Sequence, residues 1–451
     1  MTAIPERRRR RTIAGAVAAS ALVCAAAVMF VVGVVTLSNS QEGQAVGVDT
    51  RPREVFPATP NALLAVTDDV GRLGSVVVLT LLPTGVGGSI VTVPPNADAT
   101  AGFGVQRRPL DALFDPERPD EFVFAVEDML SITIERSAIV DTAEFAALIE
   151  PLGSLPVVLP DAVIDSDAAD SGAAPDEALE EATDGPPDGV IVTAGPQTLS
   201  PDDVAMVLTA IDDSVSSGAQ HPIDVAVWSA IGEATPLITA GTSSDVESSP
   251  PPADVAQLTA RLLSGDVAVR TIASSEPSAT INPTDADVLV LDRADAVLVF
   301  AQVSPALVST PNPGLKIRVV AQYTDEQLAQ TDGLFDSTSD VARGFIDQML
   351  ALQNNVVSAD TVDLGAPDMT VIEVTDPRRL EETRAAAEVL FGQAEVRVAE
   401  VVLEGVDLEI TLGMTYLIRE MVRVGVGVDD ESDAEPDDTT PPTTGTVVAD
   451  G

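Results

Sequence analysis

The feature that most constrains this chain is an uncharged run near its start. Thr12–Leu37 contains no Asp, Glu, Lys, Arg or His, and it directly follows five arginines, Arg7–Arg11. At about 1.5 Å per residue a helix over this run would be roughly 39 Å long, more than the ~30 Å hydrocarbon core of a bilayer. The run therefore predicts one N-terminal transmembrane helix at 12–37. Residues 1–11 become a cytoplasmic basic tail, because clustered arginines stay on that side. The bulk of the chain would then be extracytoplasmic, held at the cell membrane by a single pass. A cleaved signal peptide is the rival reading, but the apolar run is long for one and "SNSQEGQAVG" offers a weak cleavage site. The single cysteine, Cys24, lies inside the run. No small residue precedes it as a lipoprotein cleavage box requires, so it reads as a small apolar residue of the membrane helix. One cysteine allows no disulfide within the chain.

Beyond the run, 451 residues at 45% hydrophobic suffice for two or three domains with real cores. The formal net charge of -47 excludes nucleic acid as a partner, since repulsion from phosphates would dominate. Lys316 is the only lysine, and with heavy Ala, Val and Asp use this points to a GC-rich or salt-adapted bacterial source.

Residues 38–57 are polar and proline-containing, as a stalk would be. From Asn61 three short β-rich apolar runs follow: "ALLAV", "SVVVLTLL" and "SIVTV". Continuous apolar runs predict strands buried on both faces, as in α/β sheets. "DTAEFAALIEPLG" reads as a helix capped at Asp141 or Thr142, supported by Glu144 and ended by Gly153. Residues 165–188 hold nine acidic residues and no basic ones, which predicts an acidic insertion without a core. Their spacing lacks the EF-hand pattern. "GVIVTAGPQTLSPDDVAMVLTAI" reads as strand, turn and helix, entered at Ser200 with Pro201 in its first turn. Pro311–Gly314 marks a boundary. After it come strand "LKIRVVAQY", helix "DVARGFIDQMLAL", strand "MTVIEV", helix "RRLEETRAAAEVLFG" and strands "EVRVAEV" and "DLEITLG". That alternation predicts a smaller α/β domain over 315–417. The tail 429–451 is acidic and Thr/Pro-rich, and reads as disordered.

Four stretches of the first unit resemble the LytR-CpsA-Psr family of membrane-anchored cell-wall ligases, in family order. "LLAVTDDVGRLGSVVVLTLLP" is similar to its opening strand, acidic loop and Gly-Arg-Ser-Asp-Thr strand. "SIVTVPPNADAT" is similar to the strand ending in Pro-Arg-Asp. "VEDMLSITIERSAIVDTAEFAALIEPLGSLPVVLP" is similar to the segment after the substrate groove, and "GVIVTAGPQTLSPDDVAMVLTAI" to the helix leading to Tyr-Val-Arg. The unit 315–417 resembles the C-terminal domain often attached to these proteins. The resemblance implies an α-β-α sandwich around a mixed sheet over 58–310. It also implies transfer of a glycan phosphate from a polyprenyl-pyrophosphate carrier to peptidoglycan, with Mg²⁺ or Mn²⁺ held by carboxylates and arginines clamping phosphate oxygens.

Carried over residue by residue, Asp68 matches the acidic loop residue, with Asp69 beside it as a second candidate metal ligand. Arg72 matches the phosphate-contacting arginine. The second metal-holding aspartate falls on Gly74. The Pro-Arg-Asp arginine and aspartate fall on Pro95 and Asn96, and the Tyr-Val-Arg-x-Arg arginines on Thr209 and Ile211. The further arginine cluster finds only Gln220 and His221. Arg107 and Arg108 follow the Pro95 strand and are the candidate substitutes for pyrophosphate binding. Losing one such donor commonly costs about 2.7–4 kcal/mol of transition-state stabilisation. Structural alternatives compete at each position. Asp68 can be a turn residue, Arg72 a solvated loop arginine, His221 and Trp228 core residues, and "TGVGGS" a β-turn rather than a phosphate loop. Catalytic residues stay unassigned. Two functions are expected. The first is a catalytically degenerate pseudoenzyme of the cell envelope, binding lipid-linked glycan, the cell wall or a partner envelope protein. The second is an active phosphotransferase with rearranged contacts.

Overall fold

The computed structural model describes residues 49–100, 106–166, 189–212, 214–235 and 250–425. The chain divides into two compact units, Met1–Pro52 and Arg53–Gly451, and the architecture is that of the second. The predicted transmembrane helix, most of the stalk, residues 167–188 of the acidic insertion and the 429–451 tail lie outside the described residues. Among the described residues no helix is long and apolar enough to cross a membrane.

The three apolar runs form the centre of a five-stranded mixed sheet. Asn61–Thr67 pairs antiparallel with Leu73–Leu81, which pairs antiparallel with Gly88–Val93. Ser137–Val140 and Val267–Thr271 add parallel edge strands. The side-chain period of two sends Ala62, Leu64 and Val66 to one face and Leu63 and Ala65 to the other, and all five are buried. Helices cover both faces. Thr142–Ile149, Pro201–Thr209, Ser217–Glu233 and Val255–Leu262 pack on the first face, and Pro119–Leu130 and Arg293–Val303 on the second. The helix starts follow local rules. Asp141 and Ser200 each close a capping box, with Glu144 and Asp203, and Gly153 ends the Thr142 segment at positive φ.

Arg293–Val303 buries Ala294 and every residue from Ala296 to Ala301, so apolar side chains leave it in two directions. Ala296, Val299 and Phe300 close the first sheet, while Ala294, Val297, Leu298 and Ala301 enter a second core. That core belongs to a second five-stranded sheet, ordered Asn355–Thr361, Lys316–Ala321, Leu408–Thr411, Thr370–Val374, Ala394–Val398. Thr338–Ala351, Leu380–Phe391 and Met414–Val424 pack against it. Both tyrosines of the chain sit in this core, with the Tyr323 hydroxyl donating to the Gly413 carbonyl (3.0 Å).

Further elements extend the expected pattern. Pro119–Leu130, Val267–Thr271, Asn355–Thr361 and Met414–Val424 are regular structure that the sequence reading leaves unassigned. The last runs past residue 417. Two-residue strands also tie the described end of the stalk to the second sheet's surroundings, because Arg53–Glu54 pairs in parallel with Val402–Leu403.

Candidate functional site

The first sheet brings one edge of candidates together. Asn61–Thr67 and Gly88–Val93 end, and Leu73–Leu81 begins, at the same side. In the loop between the first two strands, Asp68 and Arg72 meet. Arg72 Nε donates to Asp68 Oδ2 at 2.6 Å. Asp68 Oδ1 accepts the backbone N–H groups of Val70 (3.0 Å) and Arg72 (2.7 Å), and Gly71 turns the chain at φ +85°. Asp68 thus folds its own loop and neutralises Arg72. Asp69 points elsewhere, accepting the Thr142 hydroxyl at 3.2 Å. Among the described residues no three His, Cys, Asp or Glu side chains form a metal site. Both oxygens of Asp68 are engaged, so a divalent cation would have to displace Arg72, and the residues present do not fit such an ion.

Gly74 is the decisive position. A Cβ there would lie 2.5 Å from the Leu208 carbonyl oxygen and 2.6 Å from Thr209 Cα. The space a side chain would need is filled by backbone at the end of the Pro201–Thr209 helix. That end is fixed: Leu208 is buried, and Thr209 Oγ1 donates to the Ala205 carbonyl at 2.9 Å. In its hydrogen-bonding orientation the Gln220 amide bridges the Ala210 carbonyl (3.2 Å) and the Asp212 N–H (2.6 Å). Beside Gly74, Ser75 Oγ accepts the indole N–H of Trp228 (3.1 Å), which packs edge-on to Phe145 and is core, as one sequence reading holds.

The remaining candidates separate. Arg107 Nη1 donates to Asp98 Oδ2 (2.9 Å) and its Nε to the Ile281 carbonyl (3.1 Å). Arg108 is exposed and lines a groove of about 420 Å³ with Gln106, Phe124 and Asp128. Asn96, fully buried, donates to Asp287 Oδ1 (2.9 Å), which also accepts the Ser216 hydroxyl (2.6 Å). Burial raises the pKa of the Asp111 carboxyl, and the negative charge of Asp287 adds to the rise.

One acid escaped the sequence reading, Asp224. Ile223, Asp224, Val227, Trp228 and Ile231 share the inward face of Ser217–Glu233, so Asp224 is an acid on an apolar stripe. The i, i+4 spacing was a visible signal for it. Burial holds the Asp224 carboxyl well above the usual carboxylate range. One turn earlier, burial pushes His221 down to about 4, and its Nδ1 finds no partner among the described residues. Folded Asp224 keeps a proton that the unfolded chain releases near pH 4, so it lowers stability as pH rises above that. Folded His221 lacks a proton that the unfolded chain binds below about 6.5, so it lowers stability as pH falls from 6.5 to about 4. The two slopes oppose each other between those values. Urea midpoints across pH should therefore separate them. Asp224→Asn should gain stability over the native chain as pH rises above about 4. His221→Gln should lose less stability than the native chain between pH 6.5 and 4.

No family model matches the sequence, and no curated protein matches it. The solved structures similar to this chain include proteins of the LytR-CpsA-Psr family. TagV of B. subtilis is 16% identical, covering 53% of this chain and 94% of its own length, at a TM-score of 0.32. The LytR-Csp2A-Psr enzyme of Actinomyces oris is 18% identical (53% and 91%, TM-score 0.31). The LytR-CPS2A-psr family protein YwtF (TagT), solved with octaprenyl pyrophosphate lipid, is 17% identical (55% and 90%, TM-score 0.32). At such scores and identities the chemistry of this chain has to be read from its own residues.

Proposed function

We propose that this chain is a membrane-anchored, extracytoplasmic cell-envelope protein of the LytR-CpsA-Psr type whose transferase site is degenerate. It binds lipid-linked glycan, peptidoglycan or a partner ligase without turning substrate over. The observation that carries the reading is the backbone of Leu208 and Thr209 filling the space beside Gly74, where the family resemblance places a metal-holding aspartate. The Asp68–Arg72 pair adds support, since it uses one residue's charge to cancel the other's. An active phosphotransferase is the second reading, favoured by one feature: Arg108 is exposed in a groove and has no carboxylate partner among the described residues.

The test is a transfer assay with the detergent-solubilised full chain, a polyprenyl-pyrophosphate glycan, peptidoglycan and Mg²⁺ or Mn²⁺. Transfer should not exceed the protein-free blank, while a polyprenyl lipid or glycan should co-purify. Turnover that disappears in Asp68→Ala would overturn the degenerate reading. The same variant should lose about 1–2 kcal/mol of stability, because two backbone N–H groups lose their acceptor while the partly exposed ion pair contributes little.

A further inference from the structure

A cavity of about 360 Å³ opens beside the end of the Pro201–Thr209 helix. It is within the range of small-molecule sites, about 300–1,000 Å³. Val163, Val207 and Ile223 supply apolar wall, and Asp161, Asp212 and Asp224 supply its charge-bearing groups. No Lys or Arg lines it among the described residues. The three acids differ. Asp161 is exposed at the mouth. Asp212 is buried, and its Oδ1 accepts the N–H and hydroxyl of Ser214 (2.9 and 2.6 Å). Asp224 is 6% exposed and no side-chain hydrogen bond serves it among the described residues. A buried carboxyl without a partner costs stability, so its presence on a cavity wall calls for a ligand.

We infer that this cavity binds an organic ammonium ion carried on a short apolar body, with the cationic nitrogen paired to Asp224 and the apolar body against Val163, Val207 and Ile223. The chemistry excludes the opposite charge. A phosphate or carboxylate would meet three acids with no cation to offset them. The strongly negative chain also raises the local concentration of cations. The inference does not depend on whether the chain transfers glycan phosphate. The ammonium enters charged and pairs with the Asp224 carboxylate, and whatever proton the burial-raised carboxyl holds leaves to solvent. The other titratable groups around Asp224 are Asp161 and Asp212 on the facing elements and His221 one turn before it on its own helix.

The probe is n-hexylammonium, titrated calorimetrically into the detergent-solubilised full chain at pH 7.5 (an assay condition, about one unit above the ordinary histidine value). Hexan-1-ol and hexanoate are the controls. Hexylammonium should bind at least about tenfold more tightly than hexan-1-ol, a difference of roughly one pairing interaction. Hexanoate should not bind. Asp224→Asn, which keeps the shape, should abolish the preference. Equal binding of hexan-1-ol or binding of hexanoate by the native chain would each overturn the inference. So would an unchanged preference in Asp224→Asn. The native-chain measurements decide the matter even where the variant does not fold.

Discussion

Gly74→Asp should destabilise the fold by about 3–5 kcal/mol and restore no transferase activity. The first part follows from space rather than backbone conformation. The new Cβ would press into the Leu208 carbonyl and Thr209 Cα, and both are main-chain atoms that no rotamer change can move aside. Overpacking of this kind typically costs about 1–3 kcal/mol. The carboxylate adds to that, since it would stand where a helix carbonyl already points and where no cation waits. Gly74→Ala isolates the steric part and should cost about 1–3 kcal/mol. For an assembly of this size each kcal/mol lowers the melting temperature by roughly 2–4 °C. Thermal melts of the three proteins, paired with the transfer assay, give the answer. A Gly74→Asp chain that melts like the native one would mean the helix end yields, and the degenerate reading would lose its main support.

Phe300→Ala should cost about 3–5 kcal/mol and make the two sheets unfold separately. Phe300 is fully buried on the first-sheet side of Arg293–Val303, whereas Val297, Leu298 and Ala301 on the same helix serve the second core. Polar bonds cross the same junction. The Gln302 side chain accepts from Arg270 Nη1 (3.2 Å) and donates to Thr361 Oγ1 (3.0 Å), linking an edge strand of each sheet. Removing the Phe300 ring weakens the helix's hold on the first sheet and leaves its hold on the second. Trp228, the only tryptophan, reports on the first core. In the native chain its fluorescence should change together with far-ultraviolet circular dichroism. In Phe300→Ala the fluorescence transition should come at lower denaturant. Coincident transitions in the variant would refute independent unfolding.

Much of this architecture is legible in residue order. The runs at 61–67, 73–81 and 88–93 are mostly apolar, and buried at every position but Gly74, because helices cover both faces of their sheet. The caps at Asp141 and Ser200 are local chemistry, readable without knowing the fold. Asn355–Thr361 was not readable, since Asn, Ser and Asp interrupt its apolar pattern and only pairing with Lys316–Ala321 makes it a strand. The bare ends of the first strands could be seen in sequence, but their meaning could not. A glycine says nothing of what lies against it, and Leu208 and Thr209 reach Gly74 from more than a hundred residues away. Asp68 and Arg72 had two readings each, and their mutual pairing was visible only as an i, i+4 spacing in a loop.

The order of strands in the second sheet bears on how the chain completes itself during synthesis. Its central strand, Leu408–Thr411, is nearly the last described element, flanked by strands made far earlier. Until it emerges, Lys316–Ala321 and Thr370–Val374 have no common partner, and the second face of Arg293–Val303 has no finished core to enter. A chain folding from its N-terminus therefore covers the second face of Arg293–Val303 only when Thr338–Ala351 and Asn355–Thr361 emerge, and keeps the sheet beside it open until residue 408. Such exposure is the condition under which helper proteins bind and aggregation competes. Nascent chains stopped before residue 408 should consequently be the chaperone-dependent ones, whereas those extended past residue 424 can close both cores at once.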